Sequence, residues 1–314
     1  FYENMFKELR FENIGLLVID SDDSYTELGD DVTKRGWWGV VISDFMKDIE
    51  TTLKTCAKDP HGAMKTHRIF CQRIIEASEK DIYKSIPILN KAAKKLSQIP
   101  LAKDPEKCPK VLVIGEIYVR RDDFCTEELI KRFSEKGILC KISGVSEWIN
   151  YCDFQQQYEL IKEMKQLFGS NTPFHQTFFD LTKLFIRRTY THQVEKKIKK
   201  QLEKSGLLPR APDNMKLIMD NSKKIFVSPE LYSEIAISSG AAATAMMDGY
   251  SGIINISPFA CLIGRVIEGL ITPWGREKDY PVNSLEIDGN LLAPNVINKL
   301  EVFMMNVNRY HHEK

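Results

Sequence analysis

Residues 111–142 constrain this chain more than any other stretch: VLVIG, the polar segment EIYVRRDDF, a helix pattern over about 126–136 that stops at Gly137, and then ILCKI. Two short apolar runs joined through one helix within about thirty residues make a βαβ unit, whose strands lie parallel because the helix carries the chain back to its starting edge. Parallel strands are buried on both faces, which fits runs that are apolar throughout rather than alternating.

The remainder reads as further pieces of the same class. IGLLVI (14–19) is a buried-strand pattern ending in the turn-prone DSDDS, and helices are expected over 38–55 and, as one or two amphipathic segments, over 66–99. The linker LAKDPEKCPK (101–110), with Pro105 and Pro109, marks a boundary. Residues 155–168 and 175–205 are helical, the latter closing in VEKKIKKQLEK, a solvated face because its lysines lack interleaved aromatic residues. A small-residue helix (238–250), a strand GIINI (252–256), a helix over 262–270, a strand VNSLEI (282–287) and a helix that starts at Pro294 indicate a second α/β lobe. The expected fold is therefore α/β, with a first segment over 1–105 and an α/β region over 106–314 that subdivides near 210.

Composition narrows the partners. Forty-four Lys and Arg against 43 Asp and Glu supply no broad cationic face for nucleic acid or anionic lipid. No apolar run reaches the ~20 residues of a membrane span, and the start FYENMFKELRFEN lacks a signal-peptide pattern, so a cytoplasmic setting is expected. A chain beginning at Phe1 is expected to be a processed product or part of a longer polypeptide. Seven cysteines (Cys56, Cys71, Cys108, Cys125, Cys140, Cys152, Cys261), irregularly spaced and without a C-x-x-C pair, suggest neither a disulfide framework nor a local zinc site. Cluster ligands can be far apart in sequence, so irregular spacing is compatible with an iron–sulfur site.

Ligands of open parallel sheets bind beyond the carboxyl ends of the strands. That rule selects DSDDSYTELGDD (20–31), EIYVRRDDFC (116–125), SGVSEWINYC (143–152) and SPFAC (257–261). Cys125, Cys152 and Cys261 close three of them; they are read either as thiolate ligands converging on one cleft or as small buried hydrophobes. Cys261 has the better case, because a helix start at 262 offers unsatisfied backbone N–H groups that stabilise a thiolate. Pro258 stiffens the approach, and Gly264 lets a cofactor or a neighbouring backbone come close. Glu116 with Arg120 or Arg121 reads as a phosphate or carboxylate clamp or as an internal ion pair. Arg276, Glu277, Lys278 and Asp279 read as a recognition loop or a solvated connector, and Glu286 and Asp288 as acid–base groups or, at Asp288-Gly289, a turn. There is no P-loop, no G-x-G-x-x-G after a strand, no G-x-S-x-G and no H-E-x-x-H, so the usual local support for nucleotide, dinucleotide and common hydrolytic chemistry is missing.

VLVIGEIYVRRDDFCTEELIKRFSEKGI, VSEWINY and GIINISPFACLIGRVIEGLITPWGREKDYPVNSLEIDGN together resemble the C-terminal region of the large 2-hydroxyglutaryl-CoA dehydratase activator-related proteins, itself similar to dehydratase β-subunits and benzoyl-CoA reductase subunits. The resemblance implies stacked flavodoxin-like (Rossmann-like) lobes with parallel sheets, and an iron–sulfur cluster of the 4Fe-4S kind, incomplete within this chain. It implies that the cysteine of the PFxC loop, Cys261, is a cluster ligand; with a CoA thioester as substrate, the Glu116–Arg120 loop is expected to shape the cleft or touch the substrate, with Arg265 a further substrate-binding residue. It also implies as partners upstream activase domains or a separate activator ATPase that delivers one electron at low potential, with a homodimer as a further expectation. Three readings follow: a redox part of an acyl-CoA dehydratase or reductase system of anaerobic metabolism, a non-catalytic docking module for an activase or partner subunit, or a small-ligand α/β domain.

Overall fold

The computed structural model describes residues 2–11, 14–15, 29–167, 175–212, 214–228, 230–231, 233–290 and 292–313. The first half holds α1 (Tyr2–Glu8), α2 (Asp30–Cys56), α3 (Pro60–Lys80), α4 (Ser85–Leu96), β1 (Lys110–Gly115), α5 (Ile117–Arg121), α6 (Asp123–Glu135), β2 (Leu139–Ile142) and α7 (Val145–Leu167). The second holds α8 (His175–Leu202), α9 (Met215–Ser222), α10 (Glu234–Met247), β3 (Gly252–Pro258), α11 (Leu262–Glu277), β4 (Val282–Ile287) and α12 (Pro294–Glu313). The strand expected over 14–19 and the loop over 20–31 fall largely outside the described residues.

The four strands form one parallel sheet in the order β2-β1-β3-β4. Strands assigned from the sequence to two lobes thus share a sheet, because Val111–Gly115 of β1 pairs in register with Gly252–Ile256 of β3. Alternation along the strands feeds two cores. Leu112, Ile114 and Ile253 pack with α9, α10 and α11, including Ile218, Ala241, Ile267 and Trp274. Val111, Val113, Ile254 and Ile256 pack on the opposite face with Ile130 and Phe133 of α6 and Phe303 and Met304 of α12. A third, helical core joins α2, α3, α4 and α8 through Trp38, Ile49, Leu53, Leu89 and Ile198. Fully burying each such side chain contributes about 1.5–3 kcal/mol against the entropy of ordering the chain.

Local signals explain most helix starts. Asp59 accepts from the Gly62 N–H at 3.0 Å with Pro60 in the first turn of α3, and Asn214 accepts from Leu217 at the start of α9. Several boundaries differ from the sequence reading; α2 begins at Asp30 rather than 38 and α3 at Pro60 rather than 66. Residues 117–121 are a helical turn rather than open loop. Helix α7 begins at Val145, so Cys152 lies two turns inside it, because Asp44 of α2 accepts from the Val145 and Ser146 N–H groups at 3.2 and 2.8 Å and caps the helix from another element. Helix α11 runs on through Pro273 to Glu277, so Arg276 and Glu277 sit in its last turn.

Candidate functional site

From the central pair β1 and β3, the chain crosses to β2 through α6 and to β4 through α11. The two crossovers step in opposite directions and their helices cover opposite faces. The carboxyl ends of β1 and β3 are therefore a topological switch point, the place where open α/β sheets form a ligand crevice. Gly115 ends β1 there with φ +111°, and a Cβ on it would fall 2.0 Å from the Ile256 carbonyl oxygen, so only glycine allows the two strand ends to meet.

Cys261 occupies the other side of the switch point. It is the N-cap residue of the 16-residue α11, half-buried, and its side chain makes no capping hydrogen bond. The loop that presents it is built from β4. Glu286 accepts from the Ala260 N–H through Oε1 at 3.1 Å, and its Oε2 meets Arg265 at 2.5 Å. Arg265 also bonds Glu268 at 2.8 Å. Ala260 is held in the left-handed region at φ +57°, uncommon for a residue with a Cβ, and the Phe259 N–H donates to Ile287 at 2.9 Å. Gly264 brings α11 against β3: a Cβ there would lie 2.2 Å from Ser257 Oγ, so the close neighbour is the chain's own strand. Arg265 is about half-exposed and its guanidinium is engaged by two carboxylates, while its backbone N–H donates to the Cys261 carbonyl at 3.0 Å.

On the β1 side the predicted residues separate. Glu116 caps α5, accepting from the Tyr118 and Val119 N–H groups at 3.1 and 2.8 Å, while Glu234 of α10 accepts from Ile117 at 2.9 Å. Two carboxylates thus satisfy three successive donors of a five-residue helix. Arg120, expected in an open loop, is 1% exposed. The helical turn folds its guanidinium beneath the strand ends, where it donates to the Gly115 carbonyl at 3.0 Å and the Gly144 carbonyl at 3.4 Å; its Nε has no partner. Arg121 pairs with Asp44 at 2.9 Å. Burial pushes the carboxyls of Glu147 and Glu234 above the usual range, against the opposing pull of Arg120 on both. Arg120 therefore ties the loops after β1 and β2 into a charged layer under the crevice, as a positioning residue.

Asp44, Glu147 and Glu234 escaped the sequence reading. Asp44 and Asp48 did carry a signal, since two carboxylates four apart lie among Val41, Ile42, Phe45, Met46 and Ile49. Glu234 carried none, because its partner Ile117 is 117 positions away.

The other flagged cysteines do not join Cys261. Cys125 lies in the first turn of α6, bonded to Asp122 at 3.2 Å, and Cys152 packs against the core of α9 to α11. Among the described residues no group of three or more His, Cys, Asp or Glu side chains is placed to hold a metal. Around Cys261 they supply one thiol, which does not by itself fit an iron–sulfur cluster.

Two grooves lie away from this edge. One, of about 510 Å³, sits at the amino end of β4 and is lined by Arg276, Asp279, Asn283 and Arg309. The other, of about 560 Å³, runs between α2 and α3 past Lys47, His67, Cys71 and Arg121. There, Cys71 Sγ is 3.7 Å from His67 Nδ1 and 3.8 Å from Nε2. Near-equal distances place the sulfur away from the in-plane lone pair of either nitrogen, and His67 Nε2 is already bonded to the Met46 carbonyl at 2.9 Å, so the pair is not aligned for nucleophilic catalysis.

No protein-family model, curated protein or solved structure matches the chain.

Proposed function

We propose that this chain forms the cleft of an iron–sulfur-dependent 2-hydroxyacyl-CoA dehydratase or reductase system, contributing Cys261 as one thiolate to a site whose other ligands lie outside the described residues. The observation that carries the proposal is the placement of Cys261: an uncommitted thiol at the N-terminus of α11, on the switch point of a parallel sheet. Cysteine sulfur is the soft ligand iron prefers. The resemblance of the GEIYVR, PFAC and REKDYP segments to dehydratase subunits supports the same assignment. An activator ATPase is the partner this implies, and a CoA thioester the ligand, with Arg265 the exposed cation nearest in sequence to the thiol. A cytoplasmic setting belongs to the proposal; no helix among the described residues is long and apolar enough to cross a membrane.

Iron and acid-labile sulfide measured on the natural protein, purified anaerobically, test it. Both are expected to be lost in Cys261→Ser and retained in Cys125→Ser and Cys152→Ser. Equal content in Cys261→Ser, or none in the unaltered protein, overturns the proposal.

A second reading has its own observation. Tyr118, Phe124, Phe259 and Leu262 are 65–77% exposed on the segments that follow β1 and β3. An apolar rim of this kind suits a non-catalytic docking module. Under that reading Leu262→Asp and Phe259→Asp abolish association with an activator subunit, while Cys261→Ser leaves it unchanged.

A further inference from the structure

Away from the sheet's carboxyl edge, two buried cysteines face one another. Cys56 is the last residue of α2, and Cys108 lies two residues before β1. The segments carrying them are tied together by backbone: Ala57 bridges Leu101, the Lys58 N–H donates to Pro100 at 2.9 Å, and the Cys56 carbonyl accepts from Ala102 at 2.7 Å. Beyond these ties the two Sγ atoms stand 3.7 Å apart, enclosed with Leu139 and Leu101.

We propose that Cys56 and Cys108 are a thiol–disulfide exchange site, closed to an intrachain disulfide by a low-molecular-weight disulfide such as glutathione disulfide. The two thiols are unequal. The contact with Cys56, helped by the Lys103 and Lys110 cations, lowers the Cys108 thiol against the cost of burial and the Asp104 charge, and the Cys108 S–H also donates to the Asp104 carbonyl at 3.4 Å. The same contact and burial push Cys56 far up. Cys108, lowered rather than raised and nearer the surface turn than the fully buried Cys56, is assigned as the nucleophile, whereas Cys71, Cys125 and Cys152 are each pushed up to about 11. Cys108 is 5% exposed beneath a surface turn whose residues Ala102, Lys103, Asp104, Glu106 and Lys107 are exposed, so opening of that turn alone admits the reagent.

The exchange balances in two steps. The Cys108 thiolate attacks one sulfur of glutathione disulfide; the S–S bond breaks, a mixed disulfide forms and one glutathione thiolate leaves. Cys56, giving its proton to that leaving thiolate, attacks the Cys108 sulfur and releases the second glutathione. Two cysteine thiols are oxidised and one glutathione disulfide is reduced to two glutathiones. The product ties the end of α2, which carries Asp44 and Asp48, to the start of β1.

The test treats the folded protein with glutathione disulfide, blocks remaining thiols with iodoacetamide and maps the digest by mass spectrometry. A Cys56–Cys108 linked peptide is expected, with two of the seven thiols lost, both restored by dithiothreitol, and with a raised thermal midpoint. In Cys56→Ser the reaction stops at a stable glutathione adduct on Cys108. In Cys108→Ser, adduct formation at Cys56 is at least about ten-fold slower. The unaltered protein alone decides if a variant does not fold: absence of the linked peptide, or its appearance only after denaturation, overturns the proposal, as does an adduct forming first on Cys56.

Discussion

Glu286 makes the orientation of Cys261 depend on a strand that is not its own. Its two oxygens hold the Ala260 N–H and the Arg265 guanidinium, and these are the contacts that keep the left-handed turn at Ala260 in place. Removing them in Glu286→Ala is expected to cost about 1 kcal/mol, since the site is partly exposed, and to raise the alkylation rate of Cys261 several-fold as the loop loosens. Arg265→Ala breaks a pair whose arginine is half-exposed, and its stability cost should be small beside that of Glu286→Ala. Iodoacetamide kinetics read by mass spectrometry, beside urea unfolding, separate these effects; unchanged Cys261 kinetics in Glu286→Ala would show that β4 does not set the loop. A second residue-scale prediction concerns His67, whose imidazole is held below its ordinary value chiefly by burial, despite its bond to Met46. Its neutral form is the native one, so the unfolded chain takes up a proton that the folded chain resists. Stability from this group is present above the unfolded value of about 6.5 and is lost as pH falls below it. Urea midpoints of the unaltered protein should decline between neutral pH and pH 5.5 more steeply than those of His67→Gln; parallel profiles would refute the assignment.

Helix α2 joins the helical core to the sheet through charge. Lys141 on the edge strand β2 donates to both oxygens of Asp48 at 2.9 and 2.7 Å, with both residues buried. Burial pushes the Asp48 carboxyl up more strongly than Lys141 pulls it down, the mark of an ion pair whose desolvation cost is large. Lys141→Met is therefore expected to destabilise by about 3–5 kcal/mol, leaving Asp48 buried and unpaired, whereas Asp48→Leu combined with Lys141→Met recovers most of the loss. A double-mutant cycle in urea measures it; a double variant as unstable as the single one would show that the pair, rather than the burial of one charge, holds α2 on β2. The same helix explains what the sequence did and did not disclose. Local patterns sufficed for the β1–α6–β2 unit and the helix start after Cys261, because unbroken apolar runs and the stop at Gly137 are properties of adjacent residues. Helix α7 was misplaced at its start because its capping oxygen, on Asp44, is supplied from α2 about one hundred positions earlier. Arg120 was misjudged for a related reason: its carbonyl partner at Gly144 belongs to the loop after a different strand.

At the scale of the whole molecule, the sequence pattern named the strands without naming their neighbours. GIINI and VNSLEI read as a second lobe, yet β3 inserts between β1 and β4. No local signal specifies pairing across a separation as long as that between Val111 and Gly252; it is settled by which faces of the strands the helices can cover. The outcome matters for function, because among the described residues the sheet's crossovers run both ways from β1 and β3, and the switch point this makes brings the end of β1 and the Cys261 loop together. The most direct measurement is differential alkylation of the seven cysteines, mapped by mass spectrometry, on the natural protein purified anaerobically and again after treatment with an iron chelator. Cys261 is predicted to be protected before chelation and to react faster after it, with Cys125 and Cys152 unchanged. Equal reactivity of Cys261 in the two preparations would contradict the proposal.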